Sequence, residues 1–188
     1  GKSIFIDGTK IESAPNKYTF VWKKAVTKYQ SRLFDKIKIL VKECETAYGL
    51  KISYNNKISL HTLKRLRKKL YKIKNEEQIK FVYGVGKRKS ALQKSVETLE
   101  SYIEKLKEYT KKLHICGERN SYSITDPDAT FMKMKEDAMM NGQLKPAYNL
   151  QHGVDSEYIT WLTISERPTD TRTLIPFLKE MEEYLTFK

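Results

Sequence analysis

Lys2-Ser3-Ile4-Phe5-Ile6-Asp7-Gly8-Thr9-Lys10-Ile11-Glu12 is the stretch on which the reading of the fold turns. Ile4, Phe5 and Ile6 form a short run of β-formers that stops at an Asp-Gly pair, the pattern of a buried strand running into a turn. A strand near residues 2–7 is expected, with Asp7 where it runs out and Gly8 turning the backbone away. A carboxylate on such a platform is rigidly held, and strand ends of α/β sheets are where chemistry collects. An Asp-Gly pair after a strand is most often only a turn, so the pair alone does not carry a catalytic reading.

Charge supplies the second constraint. The 188 residues carry a formal net charge of +13, with 39% apolar and 11% aromatic content. That length and composition suit one folded domain, or one domain with a large insertion, rather than a disordered chain. The cations are concentrated: residues 57–112 hold 17 Lys and Arg against 6 Asp and Glu, a net of +11. Such placement points to a polyanion, nucleic acid before membrane, because no apolar run is long enough to span a bilayer and no amphipathic segment has a large apolar face.

Helical periodicity organises the middle of the chain. From Thr19 to Tyr48 the residues Phe20, Ala25, Tyr29, Leu33, Ile37, Leu40, Val41, Cys44 and Ala47 recur three to five apart, one long amphipathic helix ended by Gly49. Pro15 and Asn16 break the chain before it, and Asn55-Asn56 marks a loop or weak hairpin after it. A second helix starts at Ser59 or His61 and runs through Leu60, Leu63, Leu66, Leu70 and Ile73. Its other face is Lys64, Arg65, Arg67, Lys68, Lys69 and Lys72, with no acid between Lys57 and Lys74. Solvated helix faces normally mix signs, so this one is expected to contact nucleic acid.

Gly84-Val85-Gly86-Lys87-Arg88-Lys89-Ser90 lacks the spacing of a nucleotide-binding phosphate loop. It reads as a glycine-hinged basic turn whose Lys87, Arg88 and Lys89 meet DNA phosphates. The third helix, residues 90–114, keeps a near-heptad spacing that fits packing inside one molecule better than a dimer coiled coil. Two strands, near 147–154 and 157–165, turn at Asp155-Ser156, and Thr169-Asp170 caps a final helix with Leu174, Phe177, Leu178, Met181 and Leu185.

Metal and hydrolase signatures are sparse. His61, His114 and His152 are scattered, His114-Ile115-Cys116 has no companion pair for zinc, and no nucleophile elbow is present. Cys44 and Cys116 read as free thiols facing the core. The chain opens on Gly1 rather than Met and reaches Phe187-Lys188 without a stop signal, so a piece of a longer protein is expected.

Asp7-Gly8-Thr9-Lys10-Ile11-Glu12, then Ala14 and Asn16-Lys17-Tyr18-Thr19-Phe20-Val21-Trp22-Lys23-Lys24, resembles the opening of the catalytic domain of DDE-type transposases of bacterial insertion sequences. The branch it is similar to has a long insertion after the first acid. Thr125-Asp126-Pro127-Asp128-Ala129 and Lys145-Pro146-Ala147-Tyr148-Asn149-Leu150-Gln151 resemble blocks that follow the insertion in the same family, with Ala147 where the family usually has Gly. The resemblance implies a mixed α/β fold: the first half of an RNase H-like core (1–18 and 126–188) interrupted by a basic helical insertion (19–125).

It also implies magnesium- or manganese-dependent cleavage and joining of DNA in the bacterial cytoplasm, at the nucleoid. Asp7 takes the role of the first of three metal-binding carboxylates. The other two fall beyond Lys188, so the fragment alone is expected to be inactive. Asp126 and Asp128 are candidates for a supporting position near Asp7, with turn capping as their ordinary role. The implied partner is duplex DNA at the ends of an insertion sequence, with homodimerisation left open and no membrane. The rival reading is a non-catalytic helical DNA- or RNA-binding module in which Asp7 is only a turn residue.

Overall fold

Asp7-Gly8 does not end the first strand. In the computed structural model, which describes residues 3–13, 19–54, 58–134, 142 and 144–186, strand β1 runs from Phe5 through Asp7 and Gly8 to Glu12. The expected span of 2–7 is therefore corrected toward the C-terminus. Gly8 keeps an extended, paired backbone opposite Gln151, and its lack of a side chain has a packing cause rather than a turn cause. The break at Pro15-Asn16 and the loop at Asn55-Asn56 lie outside the described residues.

The remaining elements are β2 (Phe20–Trp22), α1 (Lys23–Tyr48), α2 (Leu60–Glu76), α3 (Ala91–Cys116), β3 (Ser121–Ser123), β4 (Thr130–Lys133), β5 (Leu144–Asp155), β6 (Tyr158–Ser165) and α4 (Leu174–Thr186). The fold is mixed α/β with antiparallel sheets. No helix among the described residues is long and apolar enough to cross a membrane.

Two compact units divide the chain, one of residues 1–24 and 115–188 and the other of 25–114. In the first unit β5 is central, paired antiparallel with β1, β4 and β6. Alternation along β5 gives the sheet two unlike faces. Ala147, Asn149, Gln151 and Gly153 lie on a buried face, where Phe177 of α4 comes so close that a β-carbon on Gly153 would sit 3.1 Å from its Cζ. Trp161, opposite Gly153, stacks on Tyr184 of α4 at 4.8 Å between ring centroids. Asp7 belongs to the other face, which stays open.

The β5–β6 hairpin turns at Ser156-Glu157, with Ser156 at φ 58°. Thr169 leads into a short 3-10 turn at Asp170–Arg172 before α4 begins, and its side chain makes no capping bond. The expected helix cap is corrected accordingly. Residues 20–22, expected to open α1, instead pair with β3 as a second, two-stranded sheet, because Val21 and Tyr122 are buried together there.

The second unit is a three-helix core. Leu33, Ile37, Leu40, Val41 and Cys44 of α1 meet Leu63, Leu66 and Leu70 of α2 and Leu92, Val96, Leu99, Ile103 and Leu106 of α3. The heptad-like face of α3 is thus spent inside the unit. Ser59 caps α2 by accepting the Thr62 N–H, and Gly49 and Gly117 end α1 and α3 with φ of 61° and 52°. Leu66 and Leu99 are fully buried, so truncating either to Ala costs about 2–5 kcal/mol. Cys44 and Cys116 are free and buried, and burial raises both thiols above their ordinary value.

Candidate functional sites on two units

Asp7 stands at mid-strand on the open face of the sheet, directly opposite His152 of β5. Its side chain is exposed, and its Oδ1 accepts the N–H of Gly8 at 2.8 Å. Around it the face is apolar and open: Phe5 is 73% exposed, Ile11 49%, Leu162 45% and Ile164 64%. Beneath it, on the buried face, lies a polar cluster that sequence reading missed. Asp170 Oδ1 accepts from Asn149 Nδ2 at 2.7 Å and from Gln151 Nε2 at 3.0 Å, and Gly8 is packed against both Gln151 and Asp170. Two fully buried amides therefore find their acceptor in one carboxylate, as buried polar groups must.

The other candidate acids are elsewhere. Asp126 accepts from the Ser13 hydroxyl and from Tyr148 Oη at 2.8 and 2.9 Å. Ser13 lies six residues along the chain from Asp7, about 20 Å in extended conformation. Asp126 thus staples the far end of β1 to β5 and does not meet Asp7. Its carboxyl is held below the usual range, chiefly by the Ser13 hydrogen bond, while burial and that same carboxylate push Tyr148 up to about 12. Asp128 is exposed, and its backbone carbonyl accepts from Arg119 at 2.9 Å. Ala147 is fully buried between its pairing partners Glu12 and Thr130.

Asp7 suits a hard divalent cation as one oxygen ligand on a stiff strand. Among the described residues, no three His, Cys, Asp or Glu side chains converge as a metal site.

The basic residues divide into those free to bind and those already used. Lys64, Arg65, Lys68, Lys87 and Arg88 are exposed and, among the described residues, make no ion pair. Arg67 faces Glu100 at 3.7 Å, Lys69 donates to the Lys51 carbonyl at 2.8 Å, and Lys89 is bound to Glu97 at 2.6 Å. Those three are engaged: Arg67 ties α2 to α3, Lys69 ties α2 to the loop before it, and Lys89 ties the segment before α3 to α3. Lys72 shares a surface ion pair with Glu76 at 3.5 Å, a weak one that phosphate can displace.

The 26 residues of α3 present the missed partners. Gln93, fully buried, uses its amide to grip both backbone groups of Val82, and Glu97 accepts from Gln93 at 2.9 Å as well as from Lys89. These hydrogen bonds, the one from Lys89 first, hold the Glu97 carboxyl below its ordinary value. No periodicity signals a buried glutamine at a core position of a helix. In the first unit, Arg119 and Arg167 pair with Glu166 and Glu118 at 3.8 and 3.0 Å, and Arg172 beside them makes no ion pair among the described residues.

No protein-family model, no curated protein and no solved structure matches this chain.

Proposed function

We propose that the chain belongs to a DDE-type transposase of an insertion sequence, supplying the first metal-binding carboxylate, Asp7, and a basic helical unit that grips duplex DNA. The observation that carries the reading is the position of Asp7. It projects from mid-strand on β1, which runs antiparallel to β5, which runs antiparallel to β6, with α4 packed behind. Strand, strand, strand, helix in that pairing is the order of the first half of an RNase H-like core. A helical unit that folds around its own core is spliced into the first connection.

Magnesium or manganese, when bound, would activate the attacking oxygen and stabilise the leaving one. Asp7 contributes an oxygen from a position fixed by strand pairing and by the Gln151–Asp170 packing under Gly8. The second unit supplies phosphate neutralisation through Lys64, Arg65, Lys68, Lys87 and Arg88, which positions DNA without reading its sequence. Such a protein works in the bacterial cytoplasm, at the nucleoid.

In a protein carrying the complete set of carboxylates, Asp7→Asn abolishes magnesium-dependent DNA cleavage and leaves duplex binding nearly intact. Retained cleavage would contradict the assignment. A non-catalytic nucleic-acid-binding module shares the same basic unit, which folds around its own core, and for that reading Asp7→Asn changes nothing. The chain binds duplex DNA with little sequence preference, and with about six phosphates neutralised log affinity falls with log salt at a slope near −5; a flat response would remove the nucleic-acid reading.

A further inference from the structure

Tyr83-Gly84-Val85-Gly86-Lys87-Arg88 forms an exposed hoop with both feet pinned to α3. One foot is Val82, whose N–H donates to Gln93 Oε1 at 2.9 Å and whose carbonyl accepts from Gln93 Nε2 at 2.7 Å. Phe81, just before it, packs on Tyr71 of α2 at 6.2 Å with the Lys74 ammonium 4.8 Å from its ring. The other foot is Lys89, bound to Glu97 at 2.6 Å, and Glu97 is tied to Gln93. Anchored this way, the hoop pays little ordering cost on binding.

Its crown carries two exposed side chains, one aliphatic and one aromatic. Val85 is fully exposed and Tyr83 is 69% exposed. Gly84 and Gly86 flank Val85 at φ 105° and 80°, with open space where a β-carbon would be, so the glycines serve the backbone shape that pushes Val85 outward. Around the crown, Lys80, Lys87, Arg88 and Lys94 are exposed and make no ion pair among the described residues. Lys80, Arg88 and Lys94 line one groove with Ser90, which accepts the Gln93 N–H at 3.2 Å at the start of α3.

We propose that this hoop is a wedge for the minor groove of duplex DNA, with Val85 and Tyr83 entering between base pairs while Lys80, Lys87, Arg88 and Lys94 hold the flanking phosphates. The proposal rests on the nucleic-acid reading and adds a mode of engagement: the duplex is kinked, not merely held. Architectural proteins bend DNA by inserting one or two apolar side chains between base steps, at a cost offset by wider contact. Two side chains are the right amount of apolar surface for that. They are too little to anchor a lipid surface, which takes a whole amphipathic face. The charge complement, four cations that make no ion pair among the described residues around one aliphatic and one aromatic side chain, matches a backbone on either side of a partly unstacked step.

The test uses the whole chain and a short duplex labelled at both ends for energy transfer, with affinity followed by anisotropy across a salt series. Wild-type protein is expected to bring the ends closer. Val85→Ser with Tyr83→Ala abolishes the bend and weakens binding about tenfold while leaving the salt slope unchanged, because unstacking contacts are lost and phosphate contacts kept. Lys87→Ala with Arg88→Ala makes the slope shallower by about 2. Equal bending by wild type and the crown variant, or no bending by either, overturns the wedge while the DNA-binding reading survives. Tighter binding to the single strand than to the duplex, or crown-dependent binding only to vesicles of anionic phospholipid, also overturns it. Failure of wild-type protein to bind duplex at all removes both this and the reading beneath it.

Discussion

Gly8 and Gln151 face each other across β1 and β5 with no room for another atom: a β-carbon on Gly8 would lie 2.3 Å from Gln151 Nε2. Gln151 is 2% exposed, and that same nitrogen donates to Asp170 at 3.0 Å and to Asn149 Oδ1 at 3.3 Å, so it cannot swing aside without breaking buried hydrogen bonds. Gly8→Ala is expected to destabilise the sheet unit by about 1–3 kcal/mol, the cost of an unsatisfied buried polar group. Chemical denaturation checks this, and a change within about 0.5 kcal/mol, the range of neutral surface changes, would mean that Gln151 has another partner to turn to.

The Asp126 staple predicts an acid limb. Asp126 is held below its unfolded value, so the stability it contributes is complete above that value, about 3.9, and is lost as pH falls through the lower folded one. Asp126→Asn flattens the acid side of a stability–pH profile; an identical acid limb in the variant would place the responsible carboxylate elsewhere.

Tyr148 sets the opposite, alkaline limb. Raised from 10.0 to about 12, it favours the folded state fully below 10.0 and loses that preference as pH climbs through about 12. Tyr148→Phe removes the loss between those values while lowering stability at neutral pH by about 0.5–1.5 kcal/mol, one hydrogen bond. Denaturation at several alkaline pH values tests both signs.

Cations on the helical unit should separate into two groups in binding and stability measurements. Replacing Lys64, Arg65 and Lys68 by Ala makes the salt slope of DNA binding shallower by about 2–3 with little effect on folding. Replacing Arg67, Lys69 and Lys89, which are engaged with Glu100, the Lys51 carbonyl and Glu97, shifts the melting temperature and barely moves the slope. The reverse pattern would mean that these ties break on binding.

What could be read in advance follows from the range of the interactions. Helices α1, α2 and α3 announce themselves because burial of Leu33, Ile37, Leu66, Leu99 and their neighbours recurs at helical spacing, and Gly49, Ser59 and Gly117 mark ends by local chemistry. Gly8 misleads because its reason is tertiary: the atoms it makes way for, on Gln151 and Asp170, are more than 140 residues away in sequence. Strands β2 and β3 are three residues each, too short for alternation to show. A run of lysines and arginines gives the sign of a surface but not which charges are spent, and Lys89 beside Arg88 shows the difference one residue makes.

Asp7 itself can be interrogated without any DNA. In a protein carrying the complete set of carboxylates, Mn2+ titrated in and followed by amide NMR should broaden signals of Asp7, Gly8 and His152, the residue opposite, and Asp7→Asn should sharply weaken that broadening. Broadening centred elsewhere, or unchanged in the variant, would contradict Asp7 as a metal ligand.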